Sequence, residues 1–214
     1  ELAGDLARQA RARGLRPVGV FTYPGHGWAG REARVRAAQD QQLALGIAVG
    51  SVEDVGVRAE VVSAGSTPTF AFATGGLITE LRPGEYVFGD MDNSRIGACT
   101  TDDIALFLAA TVVSNWVPDQ VILDVGTKAM GREGNAEKGY GALAGSRAAL
   151  ARLNEYHGYV ALPEGEAKPR LGSVVPVVPN HVCPVVASFE ELLITDSQGA
   201  TLDQWEVAAR GRLS

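Results

Sequence analysis

Apolar residues in the first eighty positions fall into two alternating spacings. Leu2, Leu6, Ala7 and Ala10 share one side of a helix expected over about 2–13, with Gly14 as its stop signal. "RPVGVFTY" (16–23) reads as a buried strand and "PGHG" (24–27) as the loop at its C-terminal end. "REARVRAAQDQQLALGIAVGSVEDVG" (31–56) returns to helical spacing, with glycines at the expected breaks. "RAEVVSAG" (58–65) is a second short strand, "STPTFAFAT" (66–74) begins a turn or helix, and "GLITELR" (76–82) is a third strand. Strand, helix and strand at this spacing imply parallel pairing, so this part has an α/β texture.

From about residue 84 the helical spacing mostly disappears. "EYVFGD" (85–90), "IALFLAATVVS" (104–114), "QVILDVG" (120–126), "YVALPE" (159–164), "SVVPVVPNHVCPVV" (173–186), "ELLIT" (191–195) and "DQWEVAARG" (203–211) all read as strands. Gly, Pro, Asp and Asn separate them. One helix is expected at "AGSRAALARLNEYHG" (144–158), ending at Gly158, with His157 at its C-terminal cap. "GTKAMGREGNAEKGYGALAGS" (126–146) reads as a long polar loop, of a length that often marks function. The fold class is therefore α/β followed by a β-rich barrel or sandwich.

Composition narrows the function. Of 214 residues 46% are hydrophobic and 21% charged, ordinary for a globular chain with a real core. A formal net charge of −6 argues against nucleic acid, which needs clustered Lys and Arg. The basic run "RQARARGLRP" (8–17) alternates with apolar residues and reads as a solvated helix face. No apolar run reaches the roughly 18 residues of a membrane span, and no signal peptide is visible. The two cysteines, Cys99 and Cys183, suit a reducing compartment, with the cytoplasm as the default location. The chain opens on Glu1, already within a helical pattern, so the protein is expected to begin further upstream.

Four stretches carry candidate chemistry. In "VPNHVCPVV" (178–186) an extended backbone would put His181 and Cys183 on one face, about 6.6 Å apart by the strand rise. Metal bonds of roughly 2.0–2.3 Å would let both reach one ion and leave positions open for water or substrate, which is catalytic rather than structural zinc geometry. A buried cysteine beside a histidine bonded to a carbonyl is the plainer alternative. In "VVSAGSTPT" (61–69) a strand delivers the chain to Gly65, Ser66 and Thr67, whose N–H groups and hydroxyls suit a phosphate. The same residues also make an ordinary turn and helix cap. "TYPGHG" (22–27) places Tyr23 and His26 where ligands of α/β folds bind, or on a plain surface turn. "ELRPGEYVFGD" (80–90) carries the turn Arg82-Pro83-Gly84 from the α/β part into the β part. Asp124 and Lys128 of "DVGTK" (124–128) flank a glycine turn that reads as a surface hairpin.

Each stretch is weak alone, but their order is not. YPGH after a strand, SAGSTPT, ELRPGEYVFGD, DVGTK, PNHVC and a closing WEVAARGR together resemble the D-serine dehydratase and D-threonine aldolase group. These are fold-type III pyridoxal-phosphate enzymes similar in architecture to alanine racemase. The resemblance implies that residues 1–83 are the C-terminal part of a (β/α)8 cofactor-binding barrel, that 84–214 form a β-rich C-terminal domain with the metal site, and that the protein is a head-to-tail homodimer. It implies that Gly65, Ser66 and Thr67 hold the cofactor phosphate, helped by the backbone around Gly84 and Glu85, with Tyr23 and His26 beside the cofactor. It implies that His181 and Cys183 bind Zn2+ or another divalent cation near a D-amino acid substrate. A cysteine at the second ligand position leans toward the dehydratase branch, since the aldolase branch tends to carry an acidic residue there.

One expected residue is missing. The lysine that joins the cofactor belongs near the start of the barrel, whereas Lys128, Lys138 and Lys168 all lie in the β part. A full barrel needs about 250 residues. The expected function is a zinc-dependent lyase, D-serine dehydratase first and D-threonine aldolase second. From another class, a non-catalytic pyridoxal-phosphate carrier or dimerisation module remains open. A racemase is disfavoured, because racemisation needs no metal at the 3-hydroxyl.

Overall fold

The structure is a computed structural model describing residues 1–73 and 75–212; Thr74, the last residue of "STPTFAFAT", lies outside the described residues. It divides into two compact units, Glu1–Val87 with Asn93–Thr100, and Phe88–Asp92 with Thr101–Ser214.

In the first unit, helix α1 (Leu2–Ala12) ends at Gly14, whose φ of +77° is the left-handed conformation expected of a helix stop. Strands β1 (Gly19–Phe21), β2 (Val61–Ala64) and β3 (Glu80–Leu81) pair in parallel in that order, as the alternating texture implied. Helix α2 (Gly30–Glu53) crosses between β1 and β2. It runs unbroken through Gly46 and Gly50, where breaks were expected. Tertiary packing outweighs the propensity cost: Leu45 and Val49 pack with Val62 and Ala64 of β2, while Val52 packs with Ala7 and Val57. α1 lies close against it, and the Gly4 N–H donates to Ser51 Oγ at 3.0 Å.

The second unit is built on a closed barrel of six strands. These are β4 (Leu108–Ser114), β5 (Gln120–Leu123), β6 (Gly141–Leu143), β7 (Ala149–Leu153), β8 (Gly158–Ala161) and β9 (Val174–Pro179), ordered β4-β5-β8-β7-β6-β9. Every pairing around it is antiparallel. Leu108, Ala110 and Val112 alternate inward along β4 and meet Val121, Leu123, Leu150, Val160 and Val177 in one core. Closure leaves no edge strand in the barrel. A separate antiparallel ribbon joins β10 (Glu191–Thr195) to β11 (Thr201–Glu206).

Four expectations about residues 84–214 are corrected. The helix over 144–158 does not form: Ala149–Leu153 is strand β7, because Leu150 fills the barrel core and the backbone pairs with β6 and β8. His157 accordingly sits in the β7–β8 turn, its carbonyl accepting from the Asn154 N–H at 2.8 Å. "EYVFGD" is not a strand; Glu85–Val87 make a single 3-10 turn, followed by the short helix α3 (Met91–Arg95). The polar loop over 126–146 contains helix α4 (Thr127–Met130) and strand β6. Lastly, the extended run over 173–186 stops at Pro179, and helix α5 (Val182–Ser188) follows. Among the described residues no helix is long and apolar enough to cross a membrane.

Candidate functional site

The chemistry of the barrel unit gathers where β9 ends and α5 begins. His181 is the N-cap of α5, with extended backbone at φ −132° and ψ 123°. Cys183 is the second helical residue and Pro184 the third, a first-turn position where a missing N–H costs nothing. The extended backbone expected to align the two side chains is therefore absent at Cys183. The cap geometry brings them together instead: their ligand atoms lie within 4.8 Å of one another. Tetrahedral coordination at roughly 2.0–2.3 Å sets two such atoms about 3.5 Å apart, a separation that this bound includes. His181 is half-buried and Cys183 exposed, and Cys183 is not in a disulfide. An imidazole and a reachable thiol thus fit a divalent cation of the zinc type.

Asp90 supports this pair, and sequence reasoning missed it. Its fully buried carboxylate accepts the Val182 N–H at 3.1 Å, satisfying an orphan donor of α5, and the same Oδ2 lies 3.6 Å from His181 Nδ1. Its signal in sequence was the aspartate closing "ELRPGEYVFGD". Next to the histidine, Asn180 donates to the carbonyls of Glu133 and Gly139 at 2.8 and 2.9 Å. Lys138 reaches Asp92 at 2.9 Å. The glycine-rich loop over 131–139 is therefore tied to the β9–α5 junction.

Elsewhere in this unit Asp124 accepts the Thr111 N–H at 2.6 Å. Lys128 stacks on Tyr156, 4.2 Å from the ring centroid, and donates to its hydroxyl at 2.7 Å. That hydrogen bond, with a second that the ammonium donates to the Glu155 carboxylate, holds the ammonium pKa above its usual value.

In the α/β unit the Gly65-Ser66-Thr67 turn follows β2. Gly65 has φ +89°, and an added Cβ would stand 2.9 Å from Leu81 Cδ2, so both backbone and space require glycine. Its N–H donates to Gln41 Oε1 at 2.7 Å. The hydroxyls of Ser66 and Thr69 lie 3.0 Å apart. The Thr67 hydroxyl accepts the Tyr86 N–H at 3.1 Å, which ties the turn beginning at Arg82 to the Gly-Ser-Thr turn. Among the described residues no acceptor takes the N–H of Thr67 or of Gly84. Space is open beside Gly84, and the Glu85 carboxylate accepts from Asn93 Nδ2 at 2.8 Å. Two backbone donors on two joined turns fit a phosphate.

Arg82 adds what the motif did not reveal. It donates through Nε to Ser63 Oγ at 2.7 Å and through Nη2 to the Thr22 carbonyl at 2.8 Å. It thereby ties the C-terminal ends of all three strands. Tyr23 follows on an exposed loop, and His26 is exposed too, its Nε2 2.9 Å from Asp40 Oδ2 of α2.

The fold is similar to that of a solved alanine racemase-like protein of Idiomarina loihiensis, which superposes with a TM-score of 0.82 at 25% identity, covering 94% of this chain and 58% of that one. Residues 105–195 match the family described as "Putative serine dehydratase domain". D-threonine aldolase of an Arthrobacter species is 32% identical over 96% of this chain and 55% of its own length. An uncharacterized protein of Mycobacterium bovis is 36% identical over 59% of this chain and 98% of its own. The solved D-threo-3-hydroxyaspartate dehydratase of a Delftia species superposes with a TM-score of 0.84 at 30% identity, covering 96% of this chain and 59% of that one. Two solved variants of that enzyme replace a histidine and, two positions later, a cysteine by alanine; the cysteine variant is described as metal-free. The chain belongs to this family of serine dehydratase-like proteins. It spans little more than half the length of the aldolase and dehydratase it matches.

Proposed function

We propose that the chain carries the cation-holding and phosphate-holding parts of a pyridoxal-phosphate-dependent lyase for 3-hydroxy D-amino acids, which converts D-serine to pyruvate and ammonia. The convergence of His181 and Cys183 within 4.8 Å is the observation that carries this reading. Pyridoxal phosphate, when bound, supplies an electron sink for charge developing at the substrate α-carbon. A divalent cation, zinc by its donor set, supplies Lewis acidity at the 3-hydroxyl, so that hydroxide leaves more readily.

The chain's own residues bind and orient. The N–H groups of Thr67 and Gly84 hold phosphate oxygens, Gly65 lets the backbone approach closely, and the Ser66 side chain stiffens the turn. Glu85 fixes the second turn through Asn93. Tyr23 and His26 flank the cofactor from the loop after β1. His181 donates an imidazole nitrogen and Cys183 a thiolate, and two ligands leave coordination positions for the substrate. In the same reading the parallel strands β1–β3 belong to a (β/α)8 barrel that 1–83 completes, and 84–214 is the C-terminal domain. The joining lysine lies upstream, and the enzyme is a cytoplasmic homodimer.

D-threonine aldolase chemistry, breaking Cα–Cβ to give glycine and an aldehyde, is the second reading, favoured by the 32% identity to an enzyme of that name. Product assays on the full-length protein decide between them. Pyruvate and ammonia from D-serine, abolished by chelation, are expected. Glycine and acetaldehyde from D-threonine without pyruvate from D-serine would replace dehydration by aldol cleavage. Neither product, in a protein that binds no zinc, would leave a non-catalytic module.

A further inference from the structure

Helix α2 presents two polar side chains to the Gly65–Pro68 turn, and both are buried. Gln41 is 3% exposed and accepts the Gly65 N–H at 2.7 Å. Arg34 is 4% exposed and donates through Nε to the Pro68 carbonyl at 2.6 Å. They are seven residues apart, two helical turns, and so share one face of α2. Together they grip the turn at both ends.

The composition of this grip exceeds what holding a turn requires. Among the described residues Arg34 has no carboxylate partner: it meets the carbonyls of Pro68, Ile96 and Gly97 and lies 5.0 Å over the Phe72 ring. The Nε2 of Gln41 is buried with no hydrogen-bond partner. A buried guanidinium without a carboxylate partner and a buried amide with an unpaired donor are both costly unless something compensates them. A dianion held on the far side of the turn does so, because the turn's peptide dipoles couple the buried positive charge to it.

We infer that Arg34 and Gln41 are positioning residues for the cofactor phosphate, acting through the Gly65–Pro68 turn without touching the phosphate. The inference rests on the reading of that turn as the phosphate holder. It predicts that both side chains set the preference for a phosphorylated over an unphosphorylated cofactor.

The test titrates full-length apo-protein with pyridoxal 5′-phosphate and, separately, with pyridoxal, following absorbance. Gln41→Met and the neutral Arg34→Met should each reduce the ratio of the two affinities by about tenfold, near the worth of one charge-assisted hydrogen bond, and leave pyridoxal affinity unchanged, whereas Arg34→Lys should keep most of the ratio. Arg34→Lys keeps the charge and guards against simple misfolding, which thermal unfolding of each variant also checks. Equal weakening of both ligands, or an unchanged ratio, in Gln41→Met and Arg34→Met would overturn the inference. Ser66→Asp separates the two levels: it should abolish the phosphate preference. If the preference survives Ser66→Asp, the reading of the turn fails. If it is lost there but not in those two α2 variants, only the inference fails.

Discussion

His181 caps the helix whose second residue is Cys183, and the cap, rather than a strand, brings imidazole and thiol within 4.8 Å. A thiolate ligand leaves a spectroscopic mark that a histidine does not. The cobalt(II)-substituted full-length protein should show a near-ultraviolet sulfur-to-cobalt charge-transfer band. Cys183→Ser should lose that band while retaining weaker visible cobalt transitions. A band that persists without the thiol would assign the metal elsewhere.

Asp90 holds the start of the same helix through the Val182 N–H at 3.1 Å. Asp90→Ala removes the acceptor and leaves a buried donor unsatisfied, at a cost of about 1–3 kcal/mol. Asp90→Asn keeps an acceptor and should cost less. Denaturant unfolding of both variants measures the difference. Equal stability of Asp90→Ala and wild type would show that another group satisfies the helix end.

Gly65→Ala should destabilise the α/β unit, because φ +89° is left-handed and the new Cβ would press on Leu81 Cδ2 at 2.9 Å. Strain alone is worth about 1–2 kcal/mol, and the distorted turn should also weaken pyridoxal 5′-phosphate binding. Thermal unfolding and cofactor titration follow the two effects. An unaffected affinity would detach the turn from the cofactor.

Stability should also respond to acid through Glu166. The Arg147 backbone N–H, the Ser146 hydroxyl and the Arg147 guanidinium hold its carboxyl below the usual carboxylate range. Folding therefore gains from the ionised form. That gain is complete above the ordinary carboxylate pKa and is lost as pH falls through the lowered folded value. Melting temperature followed from neutral to acid pH should fall less steeply for Glu166→Gln than for wild type. Parallel curves would remove Glu166 from the acid response.

Much of this was legible in sequence, for reasons that differ by element. The parallel pairing of β1–β3 followed from alternating periods, and the barrel strands from period-two burial such as Leu108, Ala110 and Val112. "AALARL" misled because Ala, Leu and Arg favour helices, yet closing the barrel required Leu150 in its core. At His181–Cys183 the chemistry was readable but the backbone was not. Val and Pro suggested a strand, although Pro184 also suits a helix's first turn, and Val182 and Val185 bury at helical spacing. Asp90, Arg34 and Gln41 were invisible as site residues. Their partners lie 92, 34 and 24 positions away, beyond any local pattern.

The most direct measurement is the metal content of purified full-length protein by mass spectrometry, beside its cofactor absorbance. About one zinc per chain is expected in wild type. It should be lost in both His181→Ala and Cys183→Ala, with pyridoxal phosphate retained. Wild type free of zinc after growth in zinc-replete medium, or full zinc in both variants, would contradict a cation held by this histidine and this cysteine.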